Sequence, residues 1–151
     1  SLIEQVERVN RERKIAMTGR IEEALGGALR GKTIGILGVT FKPNTDDMRD
    51  APSLVILPML LDRGAIVKAF DPQGQKHAVS MLPGVKWCES ALETADGADV
   101  LVVLTEWNEF RALDLKDVRR RMKGTKLVDL RNIFVPRAAL EAGLHYKGIG
   151  R

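Results

Sequence analysis

The stretch KTIGILGVTFKPNTDDMRDAPS, residues 32–53, decides the fold class of this chain. Its first part, residues 32–38, is a continuous apolar run with β-branched residues, which is typical of a strand buried on both faces. A polar loop follows, and a helix-like segment begins at Asp50. A buried strand, a loop and a helix in this order predict the first unit of a parallel α/β sheet.

The same alternation continues to the end of the chain. Four further strands are predicted, in AIVKAFDP (65–72), VLVVLTEW (100–107), TKLVDLRN (125–132) and LHYKGIGR (144–151). Helices are predicted in DAPSLVILPMLLDRG (50–64), ESALETADGAD (89–99), DLKDVRRRMKG (114–124) and PRAALEAG (136–143). Because strands and helices that alternate with short links form parallel sheets with right-handed crossovers, the sequence predicts a doubly wound, Rossmann-like α/β fold.

Local signals mark the starts of these helices. Asp50 and Asp114 are expected to cap the helices that follow them, because an aspartate side chain accepts hydrogen bonds from free backbone N–H groups. Pro136 begins the last helix at a position that tolerates proline. Pro58 falls inside the helix predicted over 50–64 and is expected to kink it.

Residues 1–30 differ from the rest of the chain. They contain no proline, are rich in Glu, Arg, Ala and Leu, and predict one amphipathic helix that begins without a convincing cap. The apolar residues at helical spacing are Ile3, Val6, Met17, Ile21, Ala24, Leu25 and Ala28. A lone helix ahead of a compact domain usually connects to another element or packs on a partner. We therefore expect two units, a helix over 1–30 and an α/β domain over 31–151.

Composition excludes several classes of function. The chain has no apolar run of about 18 residues and no signal-peptide pattern, so we expect neither a membrane span nor secretion. Its single cysteine fits a reducing compartment, and we expect a cytoplasmic protein. The net charge of +4 permits an anionic partner. The basic run Arg119–Lys123 is interpreted as a solvated helix end and not as a nucleic-acid patch, because no aromatic residues interleave it.

The polar residues concentrate where predicted strands end, which is where ligands of such sheets bind. These ends are residues 38–49, 71–72, 105–107 and 129–132. The dinucleotide fingerprint is absent, because the first strand offers only Gly35 and Gly38 and ten or more residues separate them from the helix. Asp71 resembles the acidic residue that binds a ribose, yet Asp-Pro is also a common strand-ending turn, and without the glycines we favour the turn.

The long loop after the first strand offers side chains in place of glycines. Lys42 suits a phosphate as a point charge, and Arg49 suits a phosphate or a carboxylate as a planar fork. Asp46 and Asp47 are placed to pair with Arg49, and Asn44 is a natural turn former. A surface loop with local ion pairs explains the same residues, so the pattern alone leaves both interpretations open.

Several motifs in order carry a family resemblance. GKTIGILGVTFKPNTDDMRDAPS is followed by GAIVKAFDP, TEWNEF, LVDLRN and YKGIGR. Together they resemble the C-terminal, sugar-nucleotide-binding domain of the UDP-glucose/GDP-mannose dehydrogenase family, from about residue 9 to residue 151. The form FKPNTDDMRDAP is most similar to that of bacterial UDP-glucose 6-dehydrogenases.

The resemblance implies roles for four residues. Lys42 matches the family lysine that contacts the sugar nucleotide, with Phe41 beside it. Arg49 matches an arginine that reaches the NAD pyrophosphate bound by another domain. Arg131 matches an arginine that also contacts the sugar nucleotide. No residue of the chain is expected to be catalytic by itself.

The resemblance also implies a larger enzyme. Family members have an NAD-binding domain, a central helical dimerisation region and the sugar-nucleotide domain, and they oxidise a sugar C6 alcohol twice through a thiohemiacetal on a cysteine. Residues 1–30 then match the end of the central helix, and the chain is expected to be a fragment that is inactive alone, from a homodimeric enzyme. Alternatives are the same domain of a GDP-mannose or UDP-N-acetylhexosamine dehydrogenase, or a stand-alone binding or oligomerisation module.

Three residues with reactive side chains are given structural interpretations, and one tryptophan is left open. Cys88 lies in the short apolar run VKWCES, away from the position of the family nucleophile, and is interpreted as structural. His77 and His145 have no partner at metal-ligand spacing, so no metal site is expected. Trp107 ends a strand, where core packing and lining a nucleotide site are equally compatible with its position.

Overall fold

The computed structural model describes residues 1–151 and contains six strands. The strands are β1 (Thr33–Leu37), β2 (Ile66–Phe70), β3 (Lys86–Trp87), β4 (Val100–Val103), β5 (Lys126–Asp129) and β6 (His145–Gly148). The α-helices are α1 (Leu2–Ala24), α2 (Ser53–Asp62), α3 (Gln75–Met81), α4 (Asn108–Arg111), α5 (Leu115–Arg121) and α6 (Pro136–Glu141). One 3₁₀ turn spans Leu92–Ala95.

All neighbouring strands pair in parallel, in the order β3-β2-β1-β4-β5-β6. The predicted doubly wound parallel sheet is therefore confirmed. The strand order reverses between β1 and β4, which lie side by side in the middle of the sheet. In such sheets, the crevice at the carboxyl ends of the two strands that flank this reversal is the usual place for a ligand.

The sheet has an apolar core on each face. Along β4, Val100 and Val102 pack into one core, whereas Leu101 and Val103 pack into the other. Both sets are buried, so the strand has no polar face. This double burial is the reason that the central strands appear in the sequence as continuous apolar runs and not as alternating ones.

Helix α1 packs on the sheet only through its second half. Thr18 and Ile21 are buried, and α1 contacts α2, β4 and β5. Its first half projects from the domain, with Leu2 and Ile3 more than two-thirds exposed. The prediction that α1 lacks a cap was wrong, because the Ser1 hydroxyl accepts from the Glu4 backbone N–H and the Glu4 side chain accepts in return from Ser1.

The other helix signals have mixed outcomes. Asp114 caps α5 by accepting from the Lys116 N–H at 3.0 Å, and Pro136 begins α6, as predicted. Asp50 does not cap α2, because its backbone has a φ of 57° and the helix begins three residues later, at Ser53. Helix α2 continues through Pro58. None of the helices combines the length and apolar composition that crossing a bilayer requires.

Candidate functional site

The loop between β1 and α2, residues 38–52 (the charged loop), leaves the sheet at the reversal of strand order. Its first residues are held by Asp71, which is only 2% exposed and follows β2. Asp71 Oδ2 accepts from the backbone N–H groups of Val39 at 2.8 Å and Thr40 at 3.1 Å, and the Thr40 hydroxyl lies 3.1 Å from the same oxygen. The start of the charged loop is therefore fixed to the neighbouring strand by one buried carboxylate.

The other oxygen of Asp71 closes the turn after β2. Asp71 Oδ1 accepts from the backbone N–H groups of Gln73 at 3.1 Å and Gly74 at 2.8 Å. With both oxygens occupied by the protein's own donors, Asp71 has no free acceptor for a ribose. The turn interpretation of Asp71 is confirmed.

Two residues that follow β4 complete this buried network. Trp107 is 5% exposed and its indole N–H donates to Asp71 Oδ2 at 3.3 Å. The hydroxyl of Thr105 donates to the carbonyl of Thr40 at 2.8 Å. Trp107 thus packs in the core and contacts Asp71, the residue that holds the charged loop. It does not line the groove that the next paragraphs describe.

The two glycines of GILG serve packing. A side chain at Gly35 would collide with the backbone carbonyl of Thr94, and one at Gly38 would collide with the side chain of Thr105. Gly38 also has a φ of 88°, which disfavours other residues. These glycines are explained without a bound pyrophosphate, which agrees with the absence of the dinucleotide fingerprint.

The outer part of the charged loop is fastened by ion pairs. Arg49 donates from Nε and Nη2 to the two oxygens of Asp47, both at 3.0 Å, and these hydrogen bonds lower the pKa of Asp47 to about 2. Asp46 does not pair with Arg49 as predicted. It pairs with Nε2 of His77 at 3.0 Å, because the loop turns at Asn44, whose φ is 63°.

A groove with a volume of 650 Å³ lies between the charged loop and the exposed half of α1. Phe41 lines it and is 49% exposed. Four cationic side chains and two acidic ones line the groove, so it is electropositive. They are Arg11, Arg13, Lys14 and Arg131, and Glu7 and Asp50.

The structure brings together only part of the predicted site. Phe41 and Arg131 line the same groove although they lie 90 positions apart in the chain. Lys42 and Arg49 lie on the exposed surface of the charged loop and outside the groove. The side chain of Arg49 is 89% exposed.

Sequence reasoning missed the contribution of α1. Arg11 and Lys14 face the charged loop, and they belong to a set of α1 residues spaced by three or four positions. That set is Glu7, Asn10, Arg11, Lys14 and Met17. The spacing was visible in the sequence, but only the fold shows that this polar face lies opposite Phe41.

Arg131 is held by a partner that the sequence did not indicate. Its Nε donates to Glu106 Oε2 at 2.9 Å, and its Nη2 contacts the same oxygen. Glu106 follows β4 and Arg131 follows β5, so the pair bridges two adjacent strand ends. The side chain of Arg131 remains 36% exposed, which leaves it accessible from the groove.

The residues interpreted as structural lie outside this groove. Cys88 is 2% exposed, and burial raises the pKa of its thiol. His145 is on the edge strand β6, 3.0 Å from the Thr125 hydroxyl, and His77 pairs with Asp46. No cluster of His, Cys, Asp or Glu in the structure has the arrangement of a metal site.

A second groove, of 390 Å³, lies on the opposite side of the domain between α5 and α6. It is lined largely by apolar side chains such as Leu113, Ile133 and Phe134. It contains no residue of the charged loop and no cluster of cations. The groove beside Phe41 is therefore the better candidate for an anionic ligand.

Comparisons with known proteins show which family the chain is similar to. The UDP-glucose 6-dehydrogenase of Rhizobium meliloti is 45% identical over 150 residues, which cover 99% of this chain and 34% of that protein. The UDP-glucose 6-dehydrogenase of Pseudomonas aeruginosa is 37% identical over 156 residues, with 99% and 34% covered. The solved structure of a UDP-glucose dehydrogenase from Pyrobaculum islandicum superposes with a TM-score of 0.78 at 33% identity and covers 95% of this chain and 31% of that one.

The chain therefore spans about a third of the length of these relatives. The profile of the UDP-glucose/GDP-mannose dehydrogenase family, UDP binding domain, matches residues 35–136, which include the charged loop and Arg131. The chain belongs to the UDP-glucose/GDP-mannose dehydrogenase family, as its UDP-binding domain.

Proposed function

We propose that the groove beside Phe41 binds the nucleotide of a UDP-sugar, and that the chain is the C-terminal domain of an NAD-dependent UDP-glucose 6-dehydrogenase. One observation carries the proposal. The groove joins two motifs of the family, represented by Phe41 and Arg131, with the cationic face of α1.

The chemistry of the groove suits a nucleoside diphosphate. Arginine offers paired N–H donors to phosphate oxygens, and three arginines and a lysine line this groove. The half-exposed ring of Phe41 offers a flat apolar surface, on which a nucleobase can stack. Lys42, the neighbour of Phe41, is exposed at the same loop and is proposed to contact the sugar nucleotide from outside the groove.

The chain's own residues do not fit a complete NAD site. Gly35 and Gly38 are used for packing, and both oxygens of Asp71 are occupied, so the usual ribose and pyrophosphate contacts are missing. We propose that NAD, which accepts hydride when it is bound, is held mainly by another domain. Arg49 projects from the charged loop and keeps unpaired N–H groups, so it is suited to reach the pyrophosphate of that cofactor.

The proposed reaction is the oxidation of UDP-glucose to UDP-glucuronate in two successive steps through a thiohemiacetal on a cysteine. Cys88 is buried and does not line the groove, so we do not propose it as that nucleophile. The role of this chain is to hold the diphosphate and so to position the sugar. When two domains close over the ligands, they exclude water from the reacting atoms.

The projecting half of α1 supports a proposal about assembly. Leu2, Ile3, Val6 and Val9 are all between 49% and 75% exposed on this part of the helix. We propose that residues 1–30, which include α1 (Leu2–Ala24), are the end of a central helical region that contacts a second copy in a homodimer. The single, buried cysteine fits our placement of the enzyme in the cytoplasm.

The division of roles between Lys42 and Arg49 is testable in the full-length dehydrogenase. Removing a charged hydrogen bond costs about 1.5–3 kcal/mol, so each change is expected to raise one Michaelis constant by about tenfold or more. Lys42→Ala is expected to raise KM for UDP-glucose, and Arg49→Ala is expected to raise mainly KM for NAD. Lys123→Ala, at an exposed position outside the groove, is the matched control.

Steady-state kinetics with each substrate varied in turn measures both effects. The reverse pattern, with Lys42→Ala affecting NAD and Arg49→Ala affecting UDP-glucose, would overturn the division of roles. A preference for GDP-mannose or a UDP-N-acetylhexosamine in the same assay would contradict the proposed substrate.

A further inference from the structure

Glu106 is the residue that sets the position of Arg131. It stands at the end of β4, beside the reversal of strand order, and its carboxylate receives both the Nε and the Nη2 groups of Arg131. The backbone of Glu106 is also held by a side chain, because Nη1 of Arg111 donates to the Glu106 carbonyl at 3.0 Å. An anchored carboxylate thus holds one edge of the guanidinium.

The pair leaves the rest of the guanidinium for a ligand. An arginine side chain has five N–H donors, and Glu106 takes one from Nε and one from Nη2. The three remaining donors include both on Nη1, and no other hydrogen bond of the Arg131 side chain is present in the structure. Since Arg131 also lines the groove, the edge that Glu106 does not hold is the edge offered to an anion.

The carboxylate depends on Arg131 in return. The second oxygen of Glu106, Oε1, is buried and has no hydrogen-bond partner. The only donors to this half-buried carboxylate come from Arg131, and removing them would leave both of its oxygens without a partner in the protein. The two side chains therefore form a unit that is local to the groove and separate from the Asp71 network.

We propose that Glu106 is a positioning residue for nucleotide binding: it holds the otherwise flexible Arg131 side chain in the orientation that meets the diphosphate. This inference rests on the proposed function of the groove. It predicts that Glu106 acts only through Arg131, and that its loss is felt in substrate affinity and not in the cofactor or in the chemical step.

The test is a double-mutant cycle in the full-length dehydrogenase. Glu106→Ala and Arg131→Ala are each expected to raise KM for UDP-glucose at least fivefold, with kcat and KM for NAD changed less than twofold. The double variant is expected to match Arg131→Ala alone. Glu106→Gln keeps an acceptor oxygen, so its KM for UDP-glucose is expected to lie between those of Glu106→Ala and the wild type. Glu109→Gln, at an exposed position nearby, is the control and is expected to leave this KM unchanged.

A second readout does not depend on a substrate. In the 151-residue chain, the Nε–H resonance of Arg131 is expected to be resolved by NMR in the wild type and in Glu109→Gln, and to be lost in Glu106→Ala. Equal KM values in Glu106→Ala and the wild type, or additive losses in the double variant, would overturn the inference. If Arg131→Ala itself leaves the KM for UDP-glucose unchanged, the proposed function of the groove fails, whatever Glu106 does.

Discussion

Asp71→Asn is the change that most directly perturbs the base of the charged loop. The carboxylate is buried and receives five N–H donors, three on Oδ2 and two on Oδ1. The donors are the backbone groups of Val39, Thr40, Gln73 and Gly74 and the indole of Trp107. An asparagine keeps one acceptor oxygen and presents an NH₂ group to the donors of the other.

The expected loss of unfolding free energy follows from the two donors to Oδ1, which are fewer than the three donors to Oδ2. If the asparagine oxygen takes the place of Oδ2, the backbone N–H groups of Gln73 and Gly74 lose their acceptor. Hydrogen bonds to a charged group contribute about 1.5–3 kcal/mol each, so the free energy of unfolding should fall by about 3–6 kcal/mol. Whole domains have only about 5–15 kcal/mol of stability, so the loss is a large fraction of the total.

Urea unfolding followed by circular dichroism measures this difference, and thermal unfolding should show a midpoint lower by roughly 6–24 °C. Asp62→Asn is the matched control, because Asp62 is exposed at the end of α2. A free energy of unfolding for Asp71→Asn within about 1 kcal/mol of the wild type, the size of an average substitution, would refute the assignment of Asp71 as the anchor.

Two further predictions concern protonation. Tyr146 is the only tyrosine, and burial together with its 2.8 Å hydrogen bond to Asp129 raises its pKa to about 12. The contribution of Tyr146 to stability is thus fully present below the ordinary pKa near 10 and is lost as pH rises towards 12. Tyrosinate absorbance should titrate near 12 in the folded chain and at a lower pH in Asp129→Asn. A midpoint near 10 in the folded wild type would contradict this prediction. The pKa of Asp47 is lowered by the hydrogen bonds from Arg49, so the contribution of Asp47 to stability is present above pH 3.8 and is lost as pH falls towards 2. The carboxyl resonance of Asp47 should titrate near 2 in the wild type and close to 3.8 in Arg49→Ala. An unchanged midpoint in Arg49→Ala would show that Arg49 is not the cause.

The sequence was sufficient for the sheet because burial on both faces leaves a strong local signal. The central strands β1 and β4 lie in continuous apolar runs, and Asp114 and Pro136 mark the starts of helices α5 and α6 by local chemistry. Edge elements lack such a signal. The two-residue strand β3 pairs only with β2, and neither it nor helix α3 was predicted.

The site was less predictable because its contacts join distant residues. Asp71 meets Thr40 across 31 positions, and Glu106 meets Arg131 across 25, so no local pattern reveals either pair. Aspartate often caps helices, but Asp50 has a positive φ, and two more residues follow it before α2 begins. The family resemblance identified Phe41 and Arg131, and the fold added the cationic face of α1.

The central claim is that the groove beside Phe41 binds a uridine diphosphate, and NMR titration of UDP into the isotope-labelled 151-residue chain tests it most directly. Saturable shifts are expected at millimolar UDP or below, at the backbone of Phe41 and at the side-chain resonances of Arg131. The cationic patch of Lys126 on β5 and Lys147 on β6, which lines a separate pocket, should not respond. No saturable shift at any concentration, or shifts confined to that patch, would contradict the account.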